Sequence, residues 1–188
     1  MTFTLQSEPF DGEAVLPLDD AKAHLRVLNG DEDALIAALR DAAIDWVERY
    51  CAISLSARAF TYSGDGFPAR FRLPYAPATD VTAITTFDTS GAAVAMDPAD
   101  WQFRAGHLYP AIGSSWPSVL NGAGSVTVTF TAGYASAADI PPAILSAVKL
   151  LTGHLFKQRE ATISGQVVTE VPFGVTALLA AFRTPVIG

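Results

Sequence analysis

One cysteine, Cys51, stands in the whole chain, so no intrachain disulfide can form and no thiolate metal cluster is available, which fits a reducing compartment. Histidine is scarce too. His24, His107 and His154 fall on three different predicted elements, without the i, i+4 spacing that turns two imidazoles toward one metal. Surface or boundary positions account for them, and neither a metal nor a cofactor is expected. No Gly-Lys-Ser or Gly-Lys-Thr occurs and no Gly-x-Gly-x-x-Gly follows a strand, which leaves nucleotide binding without support. No Gly-x-Ser-x-Gly elbow supports a hydrolase. A Cys-His nucleophile would need Cys51 beside a histidine, and a helix-end cysteine next to Tyr50 is ordinary packing. No catalytic residue is assigned.

Charge is also sparse. Charged residues make up 16% of the chain against 50% hydrophobic ones, a balance that argues for a folded protein with apolar surface to hide in an assembly. Twelve Lys and Arg against nineteen Asp and Glu give a net charge of −7, the wrong sign for gripping phosphate backbones. The same sign suits a surface past which DNA slides, although plain solubility explains it equally well. Residues 1–10 show no basic stretch followed by an apolar one, and no apolar run reaches membrane-spanning length. The reading is of a soluble protein without a secretion signal or membrane contact. Its 188 residues suffice for one domain with an insertion, able to bury roughly two-thirds of its unfolded surface.

Periodicity divides the chain into a helical front, a strand-rich middle and a helical end, an α+β arrangement. A short helix is predicted over 18–28, capped by Asp19 and Asp20 and broken by Asn29 and Gly30. A long one follows over 31–51. Its apolar stripe reads Leu35, Leu39, Ala42, Trp46 and Tyr50, widened by Ile36, Ala43 and Val47, with Arg40, Asp41, Asp45, Glu48 and Arg49 on the wet side. The carboxylates Asp31, Glu32 and Asp33 oppose the helix dipole and need no acid–base role. From 58 to 131 short alternating runs predict antiparallel hairpins, clearest where Val126, Val128 and Phe130 alternate with Thr127, Thr129 and Thr131. Turn chemistry separates the runs at Gly64-Asp65-Gly66, Ser90-Gly91, Asp97-Pro98 and Asn121-Gly122-Ala123-Gly124.

The helical period returns over 141–160, opened by Pro141 and Pro142, with Ile144, Val148, Leu151 and Leu155 on one face. Residues 161–170 form a polar connector to a last apolar stretch, Val175 to Phe182. The organisation read is an arm over 1–15 of open role, a core over 16–160, and a C-terminal connector and tail over 161–188. Trp101, Phe103, Tyr109 and Trp116 raise the alternative of a sugar-stacking platform, though aromatics spaced along strands more often serve a core or a subunit interface.

Several segments, taken in order, resemble phage head-tail connector proteins, the portal adaptors of long-tailed phages and phage-like gene transfer agents. They are Leu16-Pro17-Leu18-Asp19-Asp20-Ala21-Lys22-Ala23-His24-Leu25-Arg26-Val27, the helix Asp33 to Tyr50, Leu73-Pro74, the strand Val81 to Asp88, Trp116-Pro117, and Val126 through Tyr134. Ile140-Pro141-Pro142-Ala143-Ile144, His154 through Glu160, Val171-Pro172-Phe173-Gly174-Val175, Leu178-Leu179 and Phe182-Arg183 complete the series. The resemblance implies a small helical bundle carrying a β-rich insertion, assembled as a ring of about twelve copies. It implies a structural role without catalysis in the neck of a virion or phage-like particle, assembled in the bacterial cytoplasm. The ring would dock to the portal protein on one side, receive a stopper or tail-completion protein on the other, and let DNA through its channel without specific binding. The C-terminal segment would reach the portal, which makes Phe173, Val175, Leu178, Leu179, Phe182 and Arg183 the candidate docking residues. Competing assignments are another neck component, such as a stopper or tail-completion protein, and a small carbohydrate-binding domain.

Overall fold

The computed structural model describes residues 3–68, 71–88, 90–120, 122, 124–158 and 172–183. The chain is α+β and divides into a strand unit, residues 3–10 and 57–133, and a helical unit, residues 11–56 and 134–183.

In the strand unit, β1 (Phe3–Ser7), β2 (Arg58–Gly64), β8 (Val126–Ala132), β4 (Ala78–Phe87) and β5 (Ala93–Ala95) form one antiparallel sheet in that spatial order. A second sheet joins β3 (Phe71–Arg72), β7 (His107–Pro110) and β6 (Trp101–Arg104). Alternation explains the middle strand. Val126, Val128, Phe130 and Ala132 of β8 are fully buried, whereas Thr127, Thr129 and Thr131 are half-buried, and the Thr127 hydroxyl lies 3.2 Å from that of Ser63. Phe60 stacks on Phe130 at 5.4 Å and on Tyr75 at 5.2 Å, filling the same core. The β4–β5 hairpin turns where Asp88 accepts hydrogen bonds from the N–H groups of Ser90 and Ala92, with Gly91 at φ 84°, a conformation that costs glycine little. Residues 3–7, part of the leader whose role the sequence leaves open, supply an edge strand on β2.

The helical unit contains α1 (Gly12–Val15), α2 (Leu18–Leu25), α3 (Asp33–Cys51), α4 (Pro142–Lys157) and α5 (Phe173–Leu179). α3 packs on α4, and α4 on α5. α2 ends at Leu25 because Arg26 turns left-handed at φ 60°, and the N–H groups of Arg26 and Val27 bond back to Ala23 and Lys22. Its start is not capped by Asp19 or Asp20; the Glu13 carboxylate accepts the Leu18 N–H at 3.1 Å instead.

The stripe predicted for α3 is rotated. Ile36, Arg40, Ala43, Ile44, Val47, Glu48 and Cys51 are the buried positions, while Leu35 and Ala42 are exposed and Trp46 and Tyr50 half-buried. Two charges that periodicity places in water are therefore inside. Arg40 can be buried because Glu13 sits 2.5 Å from Nη1, the Leu16 carbonyl accepts from the same nitrogen at 3.1 Å, and Asp41 takes Nε at 2.9 Å. Glu48 accepts the buried Leu55 N–H at 2.6 Å. Each charge is balanced by chain lying outside α3, which a helical wheel does not contain.

Replacing Arg40 by Ala strands the Leu16 carbonyl, and because Glu13 remains largely in water the expected loss is about 2 kcal/mol, read from urea unfolding midpoints. The Arg40 guanidinium and the Leu18 N–H hold the Glu13 carboxyl below its ordinary value. That stabilisation is present at neutral pH and lost as the pH falls through the lowered folded value, so Glu13→Gln should flatten the acid limb of a stability–pH profile. Burial pushes the Cys51 thiol up to about 11. The native protein should consequently leave a thiol reagent unreacted at pH 8 and take up one equivalent only after denaturation.

Candidate functional site

Among the described residues no three His, Cys, Asp or Glu side chains gather to hold a metal, and no helix is long and apolar enough to cross a membrane. His24 lies beside Gly153, and the His107 ring nitrogen Nδ1 is 3.0 Å from the Ala105 carbonyl, so both have local surroundings. Cys51 is fully buried. Nothing among these groups pairs a nucleophile with a base.

The aromatic set does not make an open platform either. Trp116 has one face covered by Phe67, with centroids 4.1 Å apart and planes within 2°. Trp101, Phe103 and Trp116 are partly buried against the strand-unit core, leaving Tyr109, 46% exposed, with His107 stacked near it at 6.2 Å. A sugar ring stacks on a free face, and only Tyr109 offers much of one.

The C-terminal candidates fall into two groups. Val175 and Leu179, one turn apart, are completely buried in the helical unit, because a four-residue spacing keeps both on the side of α5 that meets α4. Phe173 opens the helix and is 86% exposed, while Leu178 and Phe182 are half-buried. Arg183 is exposed, and its guanidinium lies over the Tyr50 ring, 5.2 Å from its centre; that ring in turn stacks on Trp46 at 4.8 Å. The tail is thus anchored by two side chains and presents a phenylalanine to solvent. The predicted helix end at 159–160, the polar connector 161–170 with Val171, and residues 184–188 beyond Arg183 lie outside the described residues.

Spacing alone did not separate anchors from free residues, since all six read as one apolar set ending in a cation. The signal available was the phase: 175 and 179 repeat at four, whereas 173 precedes them at a helix start, where no preceding turn covers its ring.

Residues 16–92 match the phage gp6-like head-tail connector protein family. No curated protein matches the chain. Among solved structures it is similar to a chain in the neck of an empty gene transfer agent particle computed with C6 symmetry, at 29% identity and a TM-score of 0.79, covering 98% of this chain and 97% of that one. A chain from the virion of a native gene transfer agent particle is likewise 29% identical with a TM-score of 0.77, covering 97% and 96%. A chain in the neck of a native gene transfer agent particle computed with C12 symmetry is 27% identical, also at 0.77, covering 98% and 97%. A family match over residues 16–92 and a fold shared from end to end with gene transfer agent neck chains together support a head-tail connector role in the neck.

Proposed function

We propose that copies of this chain close into a ring of about twelve beneath a portal, join head to tail, and extend the DNA channel without making or breaking a bond. The observation that carries the reading is likeness to neck proteins over nearly the whole of both chains. The matched necks were computed with C6 and C12 symmetry, and a twelve-membered ring satisfies both orders. A net charge of −7 on a protein with few cations suits a channel component that must release DNA as readily as admit it. A stopper or tail-completion protein follows on the far side of the ring, and assembly takes place in the bacterial cytoplasm.

The portal contact is assigned to the C-terminal segment. Phe173 inserts into an apolar recess of the portal, with Leu178, Phe182 and Arg183 beside it, while Val175 and Leu179 hold α5 to its own bundle. A large aromatic side chain left 86% exposed on a helix that is otherwise anchored is the physical support for this role. Docking then costs little ordering entropy, because the helix carrying the anchor is already formed.

Phe173→Asp should lower binding to purified portal rings at least tenfold while moving the melting temperature by no more than about 2 °C, as befits an exposed position. Pull-down and thermal melts measure the two. Undiminished portal binding by the variant would remove Phe173 from the contact, and a wild-type chain that binds no portal would remove the adaptor assignment.

A further inference from the structure

The second sheet of the strand unit has one side in the core and one side open. Phe71, Leu108 and Phe103 stand opposite one another across β3, β7 and β6 and turn inward, Phe71 and Leu108 buried and Phe103 partly so. Alternation therefore sends Arg72, His107 and Arg104 outward, and the register sets them in a single row, with Arg72 and Arg104 on either side of His107. Gln102 and Tyr109 form the next row, and the Arg104 guanidinium donates to the Gln102 side-chain carbonyl at 2.5 Å. The cationic row lies at the closed end of the β6–β7 hairpin. Its two-residue turn takes left-handed backbone at both Ala105 (φ 48°) and Gly106 (φ 77°), which fixes Arg104 and His107 as the closing pair.

We infer that this row is a contact for the phosphate backbone of double-stranded DNA, made by charge and hydrogen bonds and indifferent to base sequence. The inference rests on the neck reading above for its ligand and gives that ligand a place on the chain. β3, β6 and β7 contain no Asp or Glu, and among the described residues neither Arg72 nor Arg104 has a carboxylate within ion-pair distance. Asp100 precedes β6, at the other end of the hairpin from the row. Two exposed guanidiniums thus stand uncompensated on a chain with nineteen acids and twelve Lys and Arg. An acidic protein surface is the rival occupant. Stable protein contacts centre on a buried apolar core, and Tyr109 is the one large apolar side chain that these three strands expose. Interfaces with DNA are polar and cationic, with Arg, Gln and Tyr donating to phosphate oxygens, which is the composition found here. Two arginines give a weak hold that salt releases, and the net charge of −7 opposes tighter capture, so a duplex in contact with the row is still free to move.

The test is fluorescence anisotropy of a labelled duplex of about 20 base pairs with the intact chain, begun at about 50 mM salt. Wild type should bind two duplexes of unrelated sequence alike and release both by about 200 mM salt. Arg72→Glu with Arg104→Glu should weaken binding at least tenfold. The charge-matched pair Arg26→Glu with Lys157→Glu, at exposed positions of the helical unit, should weaken it less than threefold. The milder pair Arg72→Gln with Arg104→Gln should lower the slope of log affinity against log salt by about two, with the far-ultraviolet circular dichroism unchanged. No binding by wild type, equal loss in the charge-matched pair, or an unchanged slope overturns the site. Rings are scored separately, by negative-stain microscopy on portal. Rings without DNA binding remove this site and leave the neck reading intact. Loss of rings in the Arg72 and Arg104 variants with DNA binding unchanged assigns the row to a protein partner and overturns the inference as well. A chain that binds duplex through the row but forms no ring removes the ring reading and leaves this site standing.

Discussion

The β2–β8 ladder is the constraint on which the architecture turns. Its register pairs Arg58 with Ala132, the first residue of the strand that leaves the helical unit and the last of the strand that returns to it. Seventy-odd residues of intervening chain would otherwise make a long open loop whose closure opposes folding. By zipping the two ends side by side, the ladder turns that loop into a unit with its own core, centred on Phe60 and Phe130. The helical unit can then be completed by α4, which pairs with α3 although the two are remote in sequence.

The helical unit shows how a charged side chain becomes an internal support. Arg40 draws together α1 through Glu13, the turn after α1 through the Leu16 carbonyl, and α3 through Asp41. Gly12 fits under the same cluster: a Cβ there would collide with the Asp41 carboxylate. Glu13 serves two purposes at once, pairing with Arg40 and terminating the free N–H at the start of α2. A short leader segment is thereby fixed to a long helix by polar contacts, where a four-residue helix has too little apolar surface to hold itself.

These same contacts mark the limit of what residue patterns reveal. The central strand was legible because its partners on both sides bury the same alternate positions, so local period and tertiary environment agree. α4 was legible for a similar reason, being apolar on one side with Ile144, Val148 and Leu151. α3 was legible as a helix but not in its rotation, since Arg40 and Glu48 are buried by partners outside the helix, and its apparent apolar stripe is partly exposed at Leu35 and Ala42. Phe3–Ser7 gave too short an alternation to stand out, although an edge strand needs only one neighbour. In the C-terminal set, composition announced an anchor but only packing separated Val175 and Leu179 from Phe173.

The opposite end of the β2–β8 ladder has a further meaning. There Gly64 meets Val126, Thr86 pairs with Val126 from the other side, and the segments after β4 and after β7 are tied together by the bonds from Leu120 to Phe87 and from Phe87 to Ser125. Lengthening or recomposing either segment leaves the paired ends at Arg58 and Ala132 where they are. Such changes fall on loop chain, the part of a fold that best tolerates insertion and substitution.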